Sequence, residues 1–155
     1  MATRSNIAMK TKEGKIVSVY CHWDGYVANN GRILLDNYTD ADKIEALVAL
    51  GSISSLGEQI GDKQDFMDRD TQKDEWTLFY SRDRGEELSI QEYDDIPSWI
   101  ADMEEYAYLW NGQEWLVNDH GETDEKGFPV FNFLDVMVPI ELARMEQRIA
   151  AAETN

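Results

Sequence analysis

The sequence predicts a single α+β domain, with an antiparallel sheet of about five or six strands and helices packed on one face. Three observations predict it. Short runs rich in β-branched and aromatic residues recur along the 155 residues, separated by turn-forming residues. Between them lie segments with apolar residues at helical spacing and good capping residues. One Asn-Gly pair, Asn111-Gly112, sits between two strand-like runs, where it suits a tight hairpin. A hydrophobic fraction of 43% with five Trp fits a chain that buries a real core.

Residues 6–11 alternate in character and end at Lys12-Glu13-Gly14, a turn signal, before the β-branched run of residues 15–22. The two read as an opening hairpin. Trp23-Asp24-Gly25-Tyr26 breaks the second strand. Residues 29–38 suit a short helix with Ile33, Leu34 and Tyr38 on its apolar stripe. Thr39 is read as the N-cap of a second helix, with Asp40 and Asp42 at the positive end of its dipole. Ile44, Leu47 and Val48 are its buried face, and Gly51 its left-handed stop.

Residues 51–75 are polar, contain Gly57 and Gly61, and read as one long loop. Residues 76–80 read as a strand, 81–87 as a charged turn around Gly85, and 88–93 as another strand. Asp95 caps a helix with Pro97 in its first turn and Ile96, Trp99, Ile100 and Met103 on its inner face. Residues 106–110 and 113–117 form a hairpin about Asn111-Gly112. Residues 118–126 are an acidic loop, 129–133 a further strand, and 139–153 the longest helix. Ile140, Leu142, Ala143, Met145 and Ile149 give that helix enough apolar surface to form a homodimer.

Charge is the strongest compositional fact. The chain has 14 Lys and Arg against 31 Asp and Glu, a formal net charge of −17. Residues 1–35 hold five basic and two acidic residues, and residues 36–84 six and twelve. Residues 85–143 hold fifteen acidic residues and only Lys126, whereas the last twelve residues balance at zero. A direct nucleic-acid binder neutralises phosphates with Lys and Arg, so this chain is expected to repel nucleic acid and anionic membranes. No apolar run is long enough to span a bilayer, and residues 1–15 lack an apolar signal core. The single cysteine, Cys21, excludes an internal disulfide, and a cytoplasmic setting is expected.

Three constellations carry potential chemistry. Cys21-His22-Trp23-Asp24-Gly25-Tyr26 gathers a thiol, an imidazole, a carboxylate and aromatics at a strand end. Neighbouring strand residues face opposite ways, which argues against Cys21 and His22 sharing a metal or acting as a nucleophile pair. His22 with Asp24, joined by Asp119 and His120, is the weaker metal alternative, and no metal or cofactor is expected. Ser81-Arg82-Asp83-Arg84-Gly85-Glu86 sets two arginines on a turn, able to grip an anion or to pair with local carboxylates. If it meets the first constellation, His22, Trp23, Tyr26, Arg82 and Arg84 would line a pocket for a phosphorylated small molecule.

The third constellation is acidic. Glu86, Glu87, Asp94, Asp95, Asp102, Glu104, Glu105, Glu122, Asp124 and Glu125 recur every few residues. Duplex DNA carries about one charge per 1.7 Å, a field that spaced carboxylates can imitate, although excess acid usually serves only solubility. No P-loop, dinucleotide fingerprint, nucleophile elbow or zincin motif is present, so nothing marks an enzyme.

The run Thr3-Arg4-Ser5-Asn6-Ile7-Ala8, then Val19 to Tyr26, Gly31, and Leu34-Leu35 to Tyr38, resembles a family of small uncharacterised bacteriophage and prophage proteins. Tyr80-Ser81-Arg82-Asp83-Arg84-Gly85-Glu86 and the pattern from Tyr106 to Val117 resemble it too. The family has no established activity and transfers no catalytic residue. The resemblance implies a non-enzymatic accessory factor in the host cytoplasm, in the manner of anti-CRISPR or anti-restriction proteins. Its acidic surface would bind and inhibit a host nucleic-acid-handling or defence protein with a basic face. The alternatives are a protein that binds or sequesters a phosphorylated nucleotide signal, and a structural or assembly protein.

Overall fold

The computed structural model describes residues 2–103 and 105–154. Among them, eight strands form one sheet and five α-helices cover it. The expected opening hairpin is present: β1 (Ser5–Lys10) pairs antiparallel with β2 (Ile16–Cys21), Lys10 opposite Ile16. A π-helical turn over Val27–Gly31 leads directly into α1 (Arg32–Asn37). After α2 (Ala41–Ala49) come β3 (Ile53–Ser55), β4 (Leu78–Phe79), α3 (Tyr80–Arg84), β5 (Gln91–Tyr93) and α4 (Ile96–Ala101). The chain ends with β6 (Tyr106–Trp110), β7 (Trp115–Asp119), β8 (Asn132–Phe133) and α5 (Leu134–Thr154).

The strand order is β4-β3-β2-β1-β6-β7-β8, with β5 paired to β2 off that path. This corrects three expectations. The sheet has more strands than expected, and it is mixed, because β1 pairs parallel with β6 and β2 parallel with β3. Helices also cover both faces. Ile7, Val19, Tyr108, Trp115 and Val117 point to one face, under Leu34, Ile44, Leu47, Leu134 and Val138. Ala8, Ile16, Ala107 and Leu109 point to the other, under Trp99 and Ile100 of α4. Strand residues alternate between faces, so the unbroken apolar run Tyr106–Trp110 serves both cores.

Local details differ for physical reasons. Asp40, not Thr39, caps α2, its carboxylate accepting from the Lys43 amide at 2.9 Å. Gly51 stops that helix in the left-handed region, as expected, and Asp95 caps α4 through the Ser98 amide at 2.8 Å. The β6–β7 turn is centred one residue later than Asn111-Gly112, since Trp110 stands opposite Trp115. The Asn111 side chain captures the Gln113 and Glu114 amides, both at 2.9 Å, and so spends itself as a turn acceptor. The segment read as a charged turn after residue 80 is α3, closed by left-handed Gly85. No helix is long and apolar enough to cross a membrane among the described residues.

Candidate functional site

The site begins where β2 ends. The His22 amide donates to Ile53 O and the Trp23 amide to Ser54 O, both at 3.0 Å, carrying the parallel pairing past Cys21. Asp24 then adopts a left-handed conformation, φ 55°. Gly25 follows, buried so closely that a Cβ there would lie 2.8 Å from the Arg4 backbone and the Ser5 side chain. Its amide donates to Thr3 O at 2.8 Å, and its carbonyl accepts from the Tyr108 hydroxyl at 2.6 Å. The corner that turns His22, Trp23 and Asp24 outward is therefore anchored in the core.

Cys21 and His22 face opposite ways. Cys21 is fully buried, its sulfur 3.4 Å from Asn30 Nδ2, and burial pushes its thiol up to about 11. At neutral pH it is a protonated core residue. His22 Nδ1 lies 2.6 Å from the Tyr20 hydroxyl, and the His22 ring meets the Trp23 ring edge-on at 4.6 Å. His120 contacts Asp119 at the end of β7, three strands away across the sheet. At about 4.8 Å per strand that is roughly 14 Å from the β2 end, too far to share an ion. No group of three or more metal-ligating side chains is present among the described residues.

The long excursion after β3 forms the facing wall. It is tied down throughout. Thr77 N donates to Gln59 O and Gln59 N to Glu75 O, both at 2.8 Å. Tyr38 Oη donates to Gly57 O at 2.8 Å. Arg82 and Asp83 lock the rest. Asp83 accepts from the amides of Gln64 (2.8 Å) and Phe79 (2.7 Å) and from Arg82 Nε (2.9 Å). Arg82 also donates to the carbonyls of Ile60, Gly61 and Thr77. The Arg82 guanidinium is thus consumed inside the fold.

Between corner and excursion lies a cleft of about 630 Å³. His22 and Trp23 line one side, and Phe66, Arg69, Tyr80 and Arg84 the other. A second cleft of about 470 Å³ adjoins it, sharing Asp24, Ser55, Arg69, Gln72 and Leu78 in its lining and adding Arg32 and Lys73. The first cleft sets Arg69 and Arg84 against one carboxylate, Asp24, whereas the second balances Arg32, Arg69 and Lys73 with Asp24, Glu58, Asp74 and Glu75. Arg69 forms no ion pair among the described residues, and the carboxylate paired with Arg84, Glu86, stands 3.7 Å away with both side chains half exposed. Trp23 is 45% exposed, the Phe66 and Tyr80 rings meet at 5.5 Å with a 34° tilt, and Arg84 lies over Phe66 at 5.1 Å. The exposed Trp23 ring, the half-buried Phe66 and Tyr80 rings and two guanidinium groups line the same space.

The structure thus brings together His22, Trp23 and Arg84 of the sequence-derived pocket and leaves out two. Arg82 points into the fold, and Tyr26 lines a separate cleft beside α5. Phe66 and Arg69 were missed because nothing local says where the excursion between β3 and β4 will lie, and Tyr80 because residues 76–80 read as a strand, whereas Tyr80 opens α3. The one available signal was an arginine set in an acidic run at Asp68-Arg69-Asp70.

The acidic residues lie elsewhere. Glu86 and Glu87 follow α3, Asp94 and Asp95 precede α4, Asp102 caps its end, and all are exposed. Glu122, Asp124 and Glu125 are exposed in the β7–β8 connection, which Phe131 holds against Trp99 on the α4 face. Glu105 is half-buried and accepts from the Arg4 amide at 3.3 Å, whereas Glu104 lies outside the described residues. Asp95 and Asp124 are also local caps, Asp124 accepting from the Lys126 and Phe128 amides. Hydrogen bonds from Ser98 hold the Asp95 carboxyl below the usual carboxylate range.

No protein-family model, curated protein or solved structure matches this chain.

Proposed function

We propose that the protein binds a phosphorylated, ring-bearing small molecule, a nucleotide in chemical class, in the groove between His22-Trp23 and Phe66-Arg69-Tyr80-Arg84. The observation that carries this reading is the convergence of Arg69 and Arg84 with the exposed Trp23 and the half-buried Phe66 and Tyr80 in one cleft of a chain with net charge −17. Guanidinium forks suit phosphate oxygens, and ring faces suit a base. Asp24 and Ser55, at the junction of the two clefts, offer acceptors for sugar hydroxyls or base amino groups. The cleft volume lies within the roughly 300–1,000 Å³ of ordinary small-molecule sites. With no catalytic constellation identified beside it, the reading is binding or sequestration.

The test is calorimetry against ribonucleoside mono- and triphosphates and cyclic dinucleotides. Binding by one of them is expected, with Arg69→Ala and Arg84→Ala each weakening it about 10- to 100-fold, the loss of a charge-assisted hydrogen bond. Glu122→Gln should leave it unchanged. No binding across the panel, or binding indifferent to both arginines, would overturn the reading.

A second reading rests on the exposed carboxylates about α4 and the β7–β8 connection. In this reading a phage accessory protein presents Glu86, Glu87, Asp94, Asp95, Asp102, Glu122, Asp124 and Glu125 to a basic host nucleic-acid-handling or defence protein. What favours it is the single basic residue, Lys126, among residues 85–143. A partner recovered from host lysate should be lost at high salt and lost on charge reversal of Glu122, Asp124 and Glu125.

A further inference from the structure

α5 is 21 residues long, about 30 Å; its first half packs on the π-helical turn Val27–Gly31 and the β7–β8 edge of the sheet, and residues 143–153 are exposed. Leu134 and Val138 are buried there. At helical spacing the same stripe continues through Leu142, Met145, Ile149 and Ala152. Leu142 is half-buried, Met145 is 37% exposed, and Ile149 is 54% exposed. The stripe runs off the body of the protein. Met145, Ile149 and Ala152 form one wall of a cleft of about 550 Å³, facing Tyr26, Val27 and Tyr106. A helical end of three turns without packing is marginal in water, so this apolar stripe calls for an occupant.

Charge selects the occupant. The cleft's own charged residues are Glu141 and Arg148, one of each sign. Residues 144–155 also balance, Arg144 and Arg148 against Glu146 and Glu153. A strongly basic partner gains nothing at this neutral patch. A second copy, by contrast, is repelled by most of a −17 surface and can approach here. The stripe is also self-complementary. About a two-fold axis near Gln147, antiparallel helices set Met145 opposite Ile149 of the partner subunit, and Leu142 opposite Ala152 of the partner subunit.

We propose that the protein is a two-fold homodimer in which the free end of α5 and the Tyr26–Tyr106 cleft of each copy are closed by α5 of the other. Apolar contact drives this association against long-range repulsion, so salt should strengthen it, the reverse of a charge-driven complex.

The test is sedimentation velocity on the full chain at low and at molar salt. The expected result is a monomer–dimer equilibrium that tightens as salt rises. Ile149→Glu should weaken dimerisation about 100-fold or more, because the symmetry axis counts the substitution twice. Ile140→Glu, on the opposite side of the helix, should leave the dimer intact. Far-UV circular dichroism checks that both variants fold, as expected for positions already 54% and 41% exposed. A wild-type chain that is monomeric at every salt, a dimer that loosens with salt, or a dimer that survives Ile149→Glu would each overturn the proposal.

Discussion

Replacing Asp83 with Ala tests the account of how the groove wall is held. The Asp83 side chain is fully buried and accepts from two backbone amides and from two nitrogens of Arg82, all between 2.7 and 3.2 Å. Alanine leaves the Gln64 and Phe79 amides without their acceptor and the Arg82 cation without its counter-charge. An unsatisfied buried donor costs about 1–3 kcal/mol, and breaking a buried ion pair about 3–5 kcal/mol. These penalties overlap, which places the expected loss at about 4 kcal/mol. With an m-value of about 2 kcal/mol/M, the urea midpoint should fall by about 2 M. The damage should reach the groove too, since Gln64 also holds the Lys73 amide at 2.9 Å and Arg82 holds Ile60 and Gly61. Arg82→Lys keeps the charge but lacks the fork, and should lose about half as much. A midpoint shift no larger than that of the exposed control Glu87→Ala would refute the claim that this pair organises the excursion.

Three further outcomes are expected. Burial raises the Cys21 thiol to about 11 and the Tyr38 hydroxyl to about 12, from 9.0 and 10.0. The folded state holds these protons more tightly, so their contribution is complete below pH 9 and is lost as pH rises through 11 and 12, which urea midpoints against pH will report. Gly25→Ala should destabilise by about 1–3 kcal/mol in thermal melts, because the added methyl meets the Arg4 backbone and Ser5 at 2.8 Å. Asp40→Ala should cost about 0.5–2 kcal/mol while Thr39→Ala stays near neutral; the reverse order would show that the cap is misassigned.

What was legible in the sequence was local. The first hairpin, the Gly51 stop and the Asp95 cap each depend on residues within a few positions of one another, and all are found as read. The parallel pairings were not legible, since β1 meets β6 a hundred residues later and β2 meets β3 through the single pair Cys21–Ile53. The second core was within reach. Tyr-Ala-Tyr-Leu-Trp at Tyr106–Trp110 has no polar alternate positions, which is the mark of a strand covered on both sides. In the groove, His22, Trp23 and Arg84 could be nominated from chemistry alone. Arg82 and Arg84 look equivalent in sequence, yet α3 sends one into the fold and the other to the cleft.

The parallel β1–β6 pairing bears on how this chain is made. During synthesis the first hairpin leaves the ribosome early, but β1 lacks its second neighbour until residues 106–110 follow. Until then Ile7 and Ala8, destined for opposite cores, sit on a strand with an open edge. Closing so long a loop is slow compared with forming a hairpin. A chain cut before Tyr106 therefore lacks the strand that closes this edge, and such a truncation is expected to aggregate where the full chain does not, which light scattering would report.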